Sequence, residues 1–183
     1  MDQLIRSCVL VVLTVGGCAA GLGAARLQAQ DVSAHQLAAA YLVNFVKYTS
    51  WPFDALSDGT TIVVCVAGNG LVADALGQLT QNHPINGHPL TVRRATLDGP
   101  LDGCHVIYAA EPDRNRAARL IQTTSRLPIL TVSDATDFAE HGGIANFFLD
   151  NGRLRFAVNA GAASRARMQI SSKLLSLAKI VGP

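Results

Sequence analysis

The pattern of apolar and polar residues divides the chain into three parts. The first 30 residues are dominated by one unbroken apolar run, the middle alternates helical stripes with short β-branched runs, and the end carries two alternating strands before a last helical stripe. Recurrence at three and four positions is typical of helices, and short apolar runs bounded by glycine or proline are typical of strands. The pattern predicts helices over 33–48, 71–79, 113–124 and 164–181, and strands over 61–67, 90–94, 105–109, 127–132, 143–149 and 153–158.

The central part of the chain has the order of a parallel α/β sheet. The run 61–67 is apolar at nearly every position, as expected for a strand with both faces covered. Strands and helices then alternate as far as residue 132, and such βαβ units place parallel strands side by side with helices on both faces. We therefore predict a three-layer α/β/α fold with a mainly parallel sheet of about four strands.

Both ends of the predicted domain depart from this alternation. The first helix is expected to begin with Ser33 as its cap and to end before Pro52. Near the other end, Asp150-Asn151-Gly152 separates two strands, and an Asn-Gly pair favours a tight antiparallel hairpin. The apolar spacing over 164–181 then predicts a long terminal helix.

The N-terminal segment has the layout of a secretory signal peptide. Arg6 precedes the apolar run 8–15, and small residues follow through Ala25. The run has about half the length that a membrane span requires, so the mature chain is expected to contain no span. We expect residues 1–30 to be the signal and residues 31–183 to be one exported, periplasmic domain. A minor alternative is an imperfect lipoprotein motif in which an acylated Cys18 would anchor the protein.

Removal of the signal segment leaves two cysteines, Cys65 and Cys104. Disulfides persist in oxidising compartments, and an even number of cysteines in an exported domain favours a bridge. Such a bridge would close a loop of about forty residues and stabilise the fold by about 4 kcal/mol in the chain-entropy model. Two separate buried thiols are the alternative.

The charge of the mature chain is small in total and uneven in distribution. The signal segment contains two basic residues and one acid, so its loss lowers the net charge from +2 to +1, which argues against a nucleic-acid partner. No acid follows Asp150, whereas six basic residues do. The basic end is interpreted as a solvated face whose stems cover apolar surface, as a docking face for an acidic partner or, third, as a contact for lipid headgroups.

A glycine turn is the sharpest chemical candidate in the sequence. Gly68-x-Gly70-x-x-Ala73 lies between a strand and a helix, where backbone amides can approach a phosphate. The acidic residue expected about twenty positions later is missing, and Arg93 and Arg94 could at best suit an extra phosphate. We therefore interpret the segment as a plain turn, with ligand binding at Gly68 and Gly70 as the weaker alternative.

No catalytic or metal-binding constellation is present in the sequence. The five histidines do not pair at ligand spacing, and Ser133 and Asp134 are better explained as helix caps than as an active-site pair. Trp51 is either a recognition anchor or a core residue that seals the first helix. A binding protein without a cofactor is therefore favoured over an enzyme.

Several phrases along the mature chain resemble the YfiR-like periplasmic proteins. They are residues 41–48 leading into Trp51-Pro52, residues 62–66 with Gly68, residues 142–147, and residues 154–156 with residues 170–175. The resemblance implies an exported α/β domain that represses an inner-membrane diguanylate cyclase and so limits cyclic di-GMP and biofilm formation. It also implies an outer-membrane lipoprotein that sequesters the repressor, and a cysteine pair at Cys65 and Cys104. The second cysteine pair of the namesake has no counterpart here.

A repressor of this kind needs a surface that prefers one state of its partner. We expect that surface on the predicted C-terminal helix and the hairpin, with Trp51 as a further contact. Some YfiR-like proteins are fused to sensor kinases or encoded near them. The alternative function is therefore a small-molecule sensor that tunes a membrane sensor kinase, with its ligand cleft at the Gly68 turn. A homodimer is also left open. The expected anchors are Phe156, Leu174 and Leu175, with Arg155 and Lys173 at the rim. The alternative is that these residues belong to the core, and for Phe156 the core is the favoured interpretation.

Overall fold

The computed structural model describes residues 21–182, with side chains from Ala34 onward, and residues 34–183 form one compact unit. The predicted signal segment lies largely outside the described residues, as does Cys18. No helix within the described range is long and apolar enough to cross a membrane. The elements are α1 (Gly21–Lys47), β1 (Thr49–Ser50), β2 (Ile62–Ala67), α2 (Gly70–Thr80), β3 (Leu90–Ala95), β4 (Val106–Ala109), α3 (Arg114–Thr124), β5 (Leu130–Ser133), β6 (Ala145–Asp150), β7 (Arg153–Val158), α4 (Ala160–Arg165), β8 (Gln169–Ile170), α5 (Ser172–Leu175) and β9 (Lys179–Ile180).

The main sheet contains seven strands in the order β3-β2-β4-β5-β6-β7-β9. Neighbouring strands from β3 to β6 are parallel, β6 and β7 are antiparallel, and β7 and β9 are parallel. The predicted α/β class and the antiparallel hairpin are confirmed. The parallel part is one strand larger than predicted, because β6 pairs with β5 on one side and with β7 on the other.

Helices cover the two faces of the sheet unequally. Helices α1 and α2 pack on one face over Val64, Val106, Val132 and Phe147, all of which are buried. Helix α3 packs on the opposite face over β2 and β4, in a smaller cluster that includes Ile107. The sheet is therefore the middle layer of three, as predicted, and its opposite face is covered mainly at the β2–β4 side.

The C-terminal region does not form the predicted helix over 164–181. It contains two short helices, α4 and α5, separated by β8 and followed by β9. Strand β8 pairs with β1 to form a separate two-stranded sheet, and β9 adds a strand beside β7. Tertiary pairing overrides the helical spacing here because two strand edges gain backbone partners that a continuous helix would not supply.

The start of α1 also differs from the prediction. The helix begins at Gly21, so Ser33 lies within it and is not its cap. In the C-terminal half of the helix, Leu42, Phe45 and Val46 are buried against the sheet. Tyr48 follows the end of the helix, and its carbonyl accepts a hydrogen bond from Ser171 at 2.8 Å.

Candidate docking surfaces

The disulfide between Cys65 and Cys104 is present, as predicted. It joins the middle of β2 to the residue two positions before β4, across a sequence separation of 39. Both cysteines are buried in the cluster under α3. The bond therefore fixes two strands that are already neighbours in the sheet.

Arg93 covers this disulfide, a role that the sequence did not suggest. Its Nε and Nη2 atoms lie 3.3 Å from Cys65 Sγ and 2.9 Å from Cys104 Sγ, and Nη2 also donates to the Asp102 carbonyl at 2.7 Å. Arg94 forms an ion pair with Asp74. Both guanidinium groups thus have partners within the protein, which removes the reason to assign them to an extra phosphate.

The glycine turn has a backbone explanation. Gly68 has a φ of +98°, and a Cβ atom there would lie 2.8 Å from the Ala110 carbonyl oxygen. Both facts require glycine without any ligand. Asn69 caps α2, because its side chain accepts from Leu71 N at 3.0 Å. Ligand binding at Gly68 and Gly70 stays a prediction.

The predicted partner-binding residues are distributed between core and surface. Phe156 and Leu174 are only 4% and 3% exposed, so both belong to the core and cannot serve as anchors in this conformation. Phe156 contacts the rings of Tyr41 and Phe45 at centroid distances of 5.3 and 5.1 Å. Leu174 is the buried residue of the four-residue helix α5 and belongs to the main core cluster.

The other predicted contacts are more accessible. Trp51 and Leu175 are half-buried and pack against the core. The indole Nε1 of Trp51 is buried and has no hydrogen-bond partner among residues 34–182. Arg155 and Lys173 are exposed, and Arg155 Nε lies 3.8 Å from the Asp150 carboxylate. The predicted rim is thus exposed although two of its anchors are not.

The distal half of the β6–β7 hairpin is the exposed apolar feature nearest to the prediction. Leu149 is 73% exposed, and Phe148 and its neighbour Leu154 are half-buried. Leu149 pairs with Leu154, and Phe148 pairs with Arg155. We call this feature the hairpin surface. It consists of Leu149 and Leu154 on one face of the strand pair and of Phe148, Arg153 and Arg155 on the other.

The sequence analysis named Arg155 and Phe156 from this hairpin but missed Leu149, its exposed apolar residue. Leu149 lies on the same strand face as Phe147, so the alternation of the strand predicts that both are buried. The signal available was the turn at 151–152, which fixes the register and places Leu149 one pair from the strand end. The turn places Leu149 near the tip of the hairpin. It does not show how far along the hairpin the helices that cover the sheet extend.

A groove of about 340 Å³ adjoins the hairpin surface. Its charged residues are mostly paired: Asp134 accepts from the Tyr108 hydroxyl at 3.1 Å, and Lys179 donates to Glu140 at 2.9 Å. Burial, and then the charge and hydrogen bond of Asp134, raise the pKa of Tyr108 well above its usual value. The hydrogen bond and charge of Glu140 raise the pKa of Lys179. No cluster of three metal-ligating side chains occurs in the part of the chain that the structure describes.

These features define a small disulfide-bonded α/β domain with exposed surfaces suited to binding. A family model described as YfiR/HmsC-like matches residues 35–179. The chain therefore belongs to the YfiR/HmsC-like family, a regulatory periplasmic family known in the context of cyclic di-GMP control.

Comparison with individual proteins adds less. No curated protein matches the chain. One similar solved structure is the crystal structure of a conserved domain protein from Vibrio cholerae O1 biovar El Tor strain N16961. It shares 16% sequence identity with a TM-score of 0.46, and the match covers 69% of this chain and 55% of that protein. The chain thus spans just over half the length of that protein.

Proposed function

We propose that this protein is exported by its N-terminal signal, residues 1–30, and restrains an inner-membrane diguanylate cyclase from the periplasmic side. Family membership supports the regulatory class and the compartment. The hairpin surface supports the mode of action, because it presents the exposed Leu149 beside Leu154 on one face of the strand pair and Phe148 beside Arg155 on the other, and apolar and arginine side chains are typical of protein interfaces. Restraint requires only that the protein bind the inactive state of the cyclase more tightly than the active state.

The single observation that carries the proposal is the exposure of Leu149 on an ordered hairpin. Leu149 is 73% exposed, whereas Phe147, two residues earlier on the same face, is 3% exposed. An apolar side chain on a rigid strand loses little conformational freedom on binding. An outer-membrane lipoprotein that covers the same surface would release the cyclase by competition.

The test is genetic complementation with cyclic di-GMP as the readout. Deletion of the gene is expected to raise cellular cyclic di-GMP, and the wild-type protein is expected to restore the low level. Leu149→Ser should fail to restore it, since the substitution removes the apolar anchor from the hairpin surface. Leu127→Ser is the matched control, because Leu127 is 47% exposed in the turn after α3. Full restoration by Leu149→Ser, or an unchanged level on deletion, would contradict the proposal.

The groove beside the hairpin favours a second candidate, a small-molecule sensor that tunes a membrane sensor kinase. It lies beyond the carboxyl end of β5, where α/β proteins commonly bind ligands, and it is lined by Asp137 and Phe148 among others. Gly68 and Gly70 do not line it. A thermal shift with amino acids or nucleotides that is abolished by Phe148→Ser would support this candidate over direct restraint of a cyclase.

A further inference from the structure

The small β1–β8 sheet brings two distant segments of the chain together at one corner of the domain. Thr49 pairs with Ile170 and Ser50 with Gln169 in an antiparallel register. Segments 47–54 and 165–177 are therefore neighbours in space although more than 100 residues separate them in sequence. We call the exposed basic and large apolar side chains of these two segments the corner surface, which consists of Lys47, Phe53, Arg165, Arg167, Lys173 and Leu177.

The corner surface is strongly basic. The two segments contain four basic residues and a single acid, Asp54. Asp54 accepts from Arg167 Nη1 at 2.9 Å, which neutralises one cation. Lys47, Arg165 and Lys173 form no ion pair with any residue from 34 to 182. Three unpaired cations therefore remain on this surface.

Two exposed apolar side chains belong to the same two segments. Phe53 is 74% exposed and Leu177 is 70% exposed. Phe53 lies in an ordered turn, because Ala55 N donates to the Pro52 carbonyl at 2.9 Å. The ion pair between Arg167 and Asp54 ties the same turn to the residues just before β8. The fold thus holds an aromatic side chain outward beside basic residues.

We propose that the corner surface contacts the anionic phospholipid headgroups of a membrane. A headgroup layer offers negative charge at every point, and it accepts aromatic and aliphatic side chains at the boundary with the acyl chains. Dispersed cations with separate protruding apolar side chains match such a layer without a shaped partner. The inference rests on the proposed function in one respect, since a periplasmic restraint of a membrane enzyme places the domain at a lipid surface.

The direct test is cosedimentation of the purified protein with vesicles. Vesicles containing phosphatidylglycerol are expected to bind the protein at low ionic strength, and vesicles of phosphatidylcholine alone are not. Added salt should weaken the binding, because exposed charges are screened. Absence of binding to phosphatidylglycerol vesicles at low ionic strength would overturn the proposal.

Charge variants locate the contact. Lys47→Gln combined with Lys173→Gln is expected to weaken vesicle binding by about fivefold per cation removed. Phe53→Ser should weaken it further and leave its salt dependence unchanged. The matched control is Arg114→Gln combined with Arg126→Gln, which removes two other exposed cations that lack ion pairs among the described residues. Equal weakening by this control would show attraction by net charge alone and would overturn the assignment to the corner.

The vesicle test can fail independently of the proposed function. Leu149→Ser should leave vesicle binding unchanged while it abolishes cyclic di-GMP control, which would support two separate surfaces. The protein that carries both Lys47→Gln and Lys173→Gln could also lose cyclic di-GMP control and still bind vesicles normally. In that case the corner surface contacts an acidic protein and the lipid proposal is wrong. Circular dichroism and thermal unfolding of each variant check that the fold is retained.

Discussion

Two pairs of neighbouring strands in the main sheet, β2 with β4 and β6 with β7, are held together in different ways. We call the part of the sheet around the first pair the disulfide end and the part around the second pair the hairpin end. At the disulfide end, β2 and β4 are joined by the Cys65–Cys104 bond and are covered by helices on both faces. At the hairpin end, β6 and β7 are joined by a turn, and their distal halves extend beyond the helical cover. The difference shows how one domain combines a fixed scaffold with an exposed surface, because helical cover on both faces and the disulfide are confined to the disulfide end of the sheet.

The largest expected effect on stability comes from removing the disulfide, which only the disulfide end contains. Replacing both Cys65 and Cys104 with alanine should lower the free energy of unfolding by about 4 kcal/mol, because the bond closes a loop of about forty residues. Urea unfolding of the oxidised protein and of the variant measures the difference. Reduced wild-type protein is the control and should resemble the variant. A loss below about 1 kcal/mol would mean that packing alone fixes this end.

An intermediate effect compares the same residue type at the two ends. Asn159 follows the hairpin and is only 1% exposed. Its Nδ2 donates to the Ala139 carbonyl at 2.9 Å, and its side-chain oxygen caps α4 by accepting from Ala162 N at 2.8 Å. Asn69 caps α2 at the more exposed glycine turn. Asn159→Ala should cost about 2–3 kcal/mol because it leaves buried polar groups unpaired, and Asn69→Ala about 1 kcal/mol. Urea unfolding measures both, and equal costs would contradict a role for buried polar contacts at the hairpin end.

The smallest effect is a pH dependence at the disulfide end. His105 Nδ1 accepts from Val63 N at 3.1 Å, so the neutral ring is the form that joins β4 to β2. Burial lowers the pKa of His105, a backbone hydrogen bond with Ala55 acts in the opposite direction, and the nearby His88 lowers it further. Because the folded state disfavours the protonated ring, stability should be complete above pH about 6.5 and should fall as the pH drops through that value.

Urea unfolding between pH 5 and pH 7.5 checks this dependence against a matched variant. His105→Asn keeps an acceptor near Val63 N but does not titrate, so its stability should change less over this range than that of the wild type. Identical pH profiles would show that His105 does not contribute.

Periodicity predicted the central elements because their side chains have only one stable environment. Residues such as Val64 and Ile107 lie in strands covered on both faces, so a continuous apolar run has a single interpretation. The same reasoning failed over 164–181, where Met168 and Leu174 are buried but Leu177 is 70% exposed. The apolar residues of 164–181 are spaced as in one helix, but they lie in different short elements and do not form one face of a helix.

The candidate surfaces were predicted only in part. Arg155 and Lys173 were expected at a rim and are exposed, but Phe156 and Leu174 are core residues. The corner surface could not be derived from the sequence, because it requires β1 to pair with β8 across more than 100 intervening residues. Nor could the contact of Arg93 with the disulfide, which depends on the register of β3 beside β2.

The sequence by itself determined the α/β class, the alternation of strands and helices and the hairpin turn, and it favoured a bond between Cys65 and Cys104 over two separate thiols. These features follow from local periodicity, turn chemistry and residue count. The tertiary structure alone decided which apolar residues remain exposed and which distant segments become neighbours. The physical reason is that exposure depends on where covering elements end, as at Phe147 and Leu149, and a strand pattern carries no information about the length of the helix above it.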